Sequence, residues 1–104
     1  MINIIIKNIN KKIQQLNISG HANAGKFNQD LVCAAVTGIV SGALNALDTN
    51  FEKDVKLQVL ENEIIIENLN LNNHDLQVML EMLRVQLFTI WTQYKKNIQM
   101  KEVH

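Results

Sequence analysis

Proline is absent from this sequence, and cysteine occurs once, as Cys33. A lone thiol excludes an intrachain disulfide framework and fits a reducing compartment, so a cytoplasmic location is expected. The four glycines fall at 20, 25, 38 and 42 and form no phosphate-cradling run, because neither Gly20 nor Gly25 is followed by the required Gly or Lys-Ser/Thr pattern. Excess charge is missing too: ten Lys and Arg balance ten Asp and Glu. That balance lacks the basic surplus behind most non-specific nucleic-acid affinity, so no direct nucleic-acid partner is expected. The three histidines, His21, His74 and His104, are scattered and do not share zinc-ligand spacing with Cys33. Neither a metal nor any other cofactor is therefore expected.

With 104 residues, no linker, no repeat and no low-complexity stretch, residues 1–104 read as a single domain able to bury its own core. Residues 1–8 are apolar but lack the basic region and small-residue cleavage site of a secretory signal. Residues 31–47 carry no charge, yet they are short for a membrane span and contain Thr37, Gly38, Ser41, Gly42 and Asn45 between Asp30 and Asp48. A core helix is the expected role, with no membrane partner.

Hydrophobic periodicity orders the rest. Ile2, Ile4 and Ile6 alternate with polar residues, although Ile5 makes both faces apolar. After a turn at 8–10, residues 11–19 form a second strand with Gln14, Leu16 and Ile18 on one face. Residues 20–29 read as a polar loop. A helix follows Asp30 and runs to about Asp48, burying Val32, Ala35, Val36, Ile39, Val40, Ala43 and Leu47. Its small residues, Gly38 and Gly42 among them, predict a stripe where another backbone comes close. A second hairpin spans 54–60 and 63–69 with its turn at Glu61–Asn62. Asn72 or Asn73 caps a long helix whose buried face carries Leu76, Leu80, Leu83, Leu87, Ile90, Trp91 and Tyr94. A last strand is expected over 97–103. The order β-β-α-β-β-α-β predicts an α+β domain with two helices on one face of a sheet.

Chemistry concentrates around Cys33. The expected boundaries put His21 at the end of a strand and Cys33 in the first turn of a helix, where the dipole and free amides favour a thiolate. Those amides would also hold an oxyanion. An imidazole beside the sulfur would act as base and then acid. The residues alone equally allow Cys33 as a small buried hydrophobe between Val32 and Ala34, and His21 as an ordinary loop residue.

The run Gly20-His21-Ala22, followed by Asp30-Leu31-Val32-Cys33-Ala34-Ala35-Val36-Thr37, resembles the ribosomal-processing cysteine proteases. The twelve-residue interval from His21 to Cys33 matches the family pattern, and the chain agrees with it in length and element order. Where family members often have a glycine shortly before the acid, this chain has Asn28-Gln29. The resemblance implies an α+β homodimer that removes the N-terminal extension of a large-subunit ribosomal protein precursor, the twenty-seventh in the standard list. It implies Cys33 as nucleophile and His21 as general base and acid. Asp30 matches an acid of the motif and either orients His21 or caps the helix. Gly20, Ala22 and Gly25 would belong to a substrate loop, and the partner would be an extended peptide with aromatic residues just before the scissile bond. Two rival readings stand beside it: a non-catalytic ribosome-associated interaction module, which needs a buried inert Cys33, and a thiol redox sensor, which needs an exposed one.

Overall fold

A computed structural model describes the backbone of residues 1–20 and 27–104, and the side chains of residues 1–20 and 31–104. The elements run β1 (Ile2–Ile9), β2 (Lys12–Ser19), α1 (Phe27–Phe51), β3 (Val55–Val59), β4 (Glu63–Asn68), α2 (His74–Gln93) and β5 (Ile98–Val103). The five strands form one sheet in the order β3-β4-β2-β1-β5. All neighbours are antiparallel except β1 and β5, which run parallel with Ile2 opposite Ile98. The expected α+β order and the placement of both helices on one sheet face are what the structure has.

The core lies between that face and the helices. Ile4, Ile6, Leu16, Ile18 and Ile66 rise from the strands to meet Val32, Val36, Val40 and Leu47 of α1 and Leu76, Leu80, Leu83 and Leu87 of α2, all buried. Ala35, Ile39 and Ala43, expected inside, are half-buried, as are Ile90, Trp91 and Tyr94. The stretch Leu31–Phe51 is long and apolar enough to cross a membrane by composition. Here one stripe of it packs on the sheet, while Gly38, Ser41, Gly42 and Asn45 are exposed.

Three local boundaries differ from the sequence reading. The first turn lies at Asn10 and Lys11 rather than 8–10: both have positive φ, 51° and 65°, which is a two-residue type I′ turn. So tight a turn lets Asn8 and Ile9 stay in β1. Second, β2 carries a bulge. Lys7 pairs with Gln15 but Asn8 pairs with Ile13, leaving Gln14 as the extra residue. The bulge turns Ile13 inward to be buried, and Gln14 does not share a continuous inward face with Leu16 and Ile18. Third, α1 begins at Phe27, so residues 27–29 are helix rather than loop.

The bulge is held by side chains from two other elements. The Ile13 amide donates to Gln77 Oε1 of α2 at 3.2 Å, and the Ile13 carbonyl accepts from Asn68 Nδ2 at 3.1 Å. Asn68 is the one buried polar residue among those described, 4% exposed, and its Oδ1 accepts from the Asn70 amide at 2.9 Å. Both ends of its amide are thus used. Asn73 caps α2 by accepting from the Leu76 amide at 3.0 Å, which selects it over Asn72. Asn68→Ala strips the buried bulge carbonyl of a donor, and is expected to lower unfolding free energy by about 1–3 kcal/mol in urea melts.

Candidate active site

Val32, Val36 and Val40 recur every four residues and face the sheet, so α1 has one rotational setting. Cys33 and Thr37 sit one residue around from that stripe, at the helix flank. Cys33 is consequently half-buried: it touches the core cluster yet remains accessible as a free thiol. Thr37, one turn on, brings its Oγ1 to 3.9 Å from Cys33 Sγ, within sulfur hydrogen-bond range, and either atom can donate.

The thiol borders a cavity of ≈ 120 Å³. Cys33, Val36, Thr37 and Val40 form its helical wall; Ile2, Ile18, Gly20 and Ile64 form the strand side. The tip of the β3–β4 hairpin, Val59 to Glu63, closes the remaining side. That volume suits a single side chain and is small for a cofactor. The hairpin tip is fixed by the Leu60 amide donating to the Glu63 carbonyl at 2.8 Å, across the expected Glu61–Asn62 turn. Val59 and Leu60 stay 66% and 52% exposed there, an unusual amount of apolar surface for a hairpin end.

Gly20 sits where β2 ends. Its amide donates to the Asn62 carbonyl at 3.2 Å, and its φ is +85°. A Cβ at this position would lie 2.3 Å from the Met1 carbonyl oxygen. That backbone has little freedom to retreat, because the Ile2 amide is bonded to the Asn97 carbonyl at 3.0 Å. Position 20 therefore needs glycine for both conformation and space. The chain leaves this fixed point directly into His21.

Of the residues singled out from sequence, Cys33 and Gly20 meet at one cavity. His21, Ala22 and Gly25 lie outside the described residues, and so does the side chain of Asp30. The backbone of Asp30 is helical, inside the first turn of α1, so it does not cap the helix. Cys33 is likewise not in the first turn. It is six residues beyond Phe27, about 9 Å along the axis at the usual helical rise. Its own amide falls within the helical ladder, and the dipole effect decays within the first turn. The expected oxyanion amides and dipole-lowered thiol do not follow from this placement. Asn28, where family members often have a glycine nearby, is helical.

Three contributors were not singled out: Thr37 as a partner of the sulfur, and Val59 and Leu60 as a wall. Thr37 was legible in principle, being four residues from Cys33 on a helix. Val59 and Leu60 come from a hairpin distant in sequence, and no local pattern announces that contact. His74 and His104 are exposed and away from the cavity. Among the described residues, no group of three or more His, Cys, Asp or Glu converges as a metal site would require.

A thiol set in a cleft at the strand ends, next to the departure point of a histidine, is accompanied by relatives of one kind, and they put the chain in the class of cysteine peptidases. Residues 1–99 match the family described as cysteine protease Prp, and the chain belongs to that family. It is 29% identical over 91 residues to the ribosomal processing cysteine protease Prp of Staphylococcus aureus strain Mu50, covering 86% of each chain. The fold is similar to the crystal structure of the S. aureus protease with a substrate peptide, at a TM-score of 0.88 and 25% identity, covering 98% of this chain and 99% of that one. The S. aureus protease with a covalently linked product peptide gives 0.86 and 27% identity, again covering 98% and 99%.

Gly20→Ala is expected to cost about 1–3 kcal/mol of stability, read by thermal or urea unfolding, through a strained φ and a displaced strand end. Peptidase activity should fall further than the stability loss explains, since Gly20 itself lines the Cys33 cavity.

Proposed function

We propose that this chain is an endopeptidase that removes the N-terminal extension of a large-subunit ribosomal protein precursor, with Cys33 as nucleophile and His21 as its base. The observation that carries the reading is the accessible Cys33 thiol on the wall of a side-chain-sized cavity, in a chain of the Prp family. The ribosomal substrate rests on the relatives named for that processing. The bound peptides in the S. aureus structures support a peptide substrate in the same fold.

In this mechanism His21 takes the thiol proton and the Cys33 sulfur attacks the scissile carbonyl carbon. The tetrahedral intermediate collapses as the C–N bond breaks, and His21 returns the proton to the departing amine. Water then attacks the thioester, with His21 accepting its proton, and the carboxylic product leaves as the thiol is restored. Because Cys33 stands beyond the first helical turn, activation of the sulfur falls chiefly to His21, with the Thr37 hydroxyl available to donate to the thiolate. Asp30 would act on His21 rather than as a cap. Gly20, Ala22 and Gly25 would belong to the segment that receives the peptide, in a cytoplasmic setting suited to a free thiol.

The protein is also proposed to act as a homodimer. Val78, Met82 and Val85 make an exposed apolar ridge on α2, opposite its buried leucines. Glu52, Asp54 and Asp75 outnumber Lys53 at one end of this ridge, and Lys95 and Lys96 lie at the other. A second copy packed antiparallel would set the basic end over the acidic end and cover the ridge, an isologous arrangement.

Two outcomes are expected. Incubation with synthetic peptides from ribosomal-protein N-termini, followed by mass spectrometry, should show cleavage at one bond by the wild type. Cys33→Ala and His21→Ala should each lose it by about a thousandfold or more; retained cleavage by either would remove that residue from the mechanism. Met82→Glu should shift the sedimentation mass from dimer to monomer without unfolding the chain.

A further inference from the structure

The hairpin beside the thiol has an open edge, and its hydrogen-bond phase can be read from its two ends. The Leu60 amide bonds the Glu63 carbonyl and the Leu69 amide bonds the Asp54 carbonyl, each at 2.8 Å. Between them Val55 to Val59 pair in unbroken register with Asn68 to Ile64. Antiparallel ladders alternate between bonded and non-bonded pairs. Lys56 and Gln58 therefore exchange bonds with Glu67 and Ile65, while Val55, Leu57 and Val59 turn their amides and carbonyls away from β4. Among the described residues no strand pairs on that far side, because β3 is the sheet edge.

Val55 is buried, Leu57 half-buried and Val59 66% exposed, so the edge opens progressively toward its Val59 end. Val59 also lines the Cys33 cavity. The free backbone groups thus lead into the site. The other edge, β5, pairs with β1 and supplies no residue to the cavity lining, whereas β3 supplies Val59.

We propose that the substrate's extended segment adds to the sheet as a sixth strand along β3. Its alternate backbone groups bond to Val59 and Leu57, and this places a side chain in the cavity beside Cys33. The inference rests on the peptidase reading and specifies how that enzyme holds its peptide. Recognition of this kind gives affinity through the main chain and leaves selectivity to the side chains that point into pockets.

The test uses the wild-type protein and a peptide it cleaves, with the backbone N-methylated at one position at a time. Strand addition has period two: methylation at alternate positions should raise KM about tenfold per lost bond, and at the intervening positions should not. Val59→Pro is the matching change in the enzyme. It removes an outward amide at an edge position where proline is tolerated, so Cys33 should still react with iodoacetamide while KM rises about tenfold and kcat changes less. If Val59→Pro fails to fold, the methylation pattern on the wild type decides alone. Cleavage with no two-residue alternation overturns the edge addition and leaves the peptidase standing. Failure of the wild type to cut any peptide overturns both.

Discussion

The packing of Val32, Val36 and Val40 on the sheet sets everything around the thiol. An α-helix places residues four apart nearly above one another, so burying these three fixes the rotation of α1 about its axis. Cys33 and Thr37 inherit their direction from that setting: each lies about 100° on from a buried valine, at the rim of the contact. Were the stripe shifted by one residue, Cys33 would enter the core and lose its place on the cavity wall. The half-buried thiol is a consequence of packing before it is a feature of chemistry.

The strand ends supply the other half of the site. The bulge at Gln14 lets Ile13, Leu16 and Ile18 all face inward despite the odd spacing between the first two. Beyond it β2 runs on in register to Gly20, which is wedged against the Met1 carbonyl and tied to Asn62. Helix, strand end and hairpin tip therefore converge at one point from three separate parts of the chain. The cavity exists because their junction is imperfectly filled, with Val59 and Leu60 left exposed at its mouth.

Element types and order were legible in the sequence, since alternation of isoleucines and the four-residue recurrence of leucines are strong local signals. Boundaries were less so where two signals competed. Asp30 before an apolar run looks like a helix start, but α1 begins three residues earlier and the acid falls inside it. The glycine stripe was misread for a related reason. Gly38 and Gly42 permit close approach, yet a Cβ at either would meet nothing within 4 Å. Instead the glycines, with Ile39, Ala43 and Leu47 of α1 and Met79 and Leu83 of α2, line a groove of ≈ 240 Å³ between the helices. Of the site, Cys33 was legible from its motif. Its cavity wall was not, because Val59 and Leu60 reach it only through the pairing of β3, β4 and β2.

The parallel pairing of β1 with β5 joins the two ends of the sequence, Ile2 against Ile98, with the Ile2 amide held by Asn97. Contacts so remote along the chain are slow to form, since the whole intervening loop must close first. Ile2 and the Met1 carbonyl belong to the cavity floor and the Gly20 wedge. The β1–β5 ladder therefore braces the strand that supplies the cavity floor. Loosening that ladder would disturb the cavity floor at Ile2 and the Gly20 wedge together, although β5 itself lines neither.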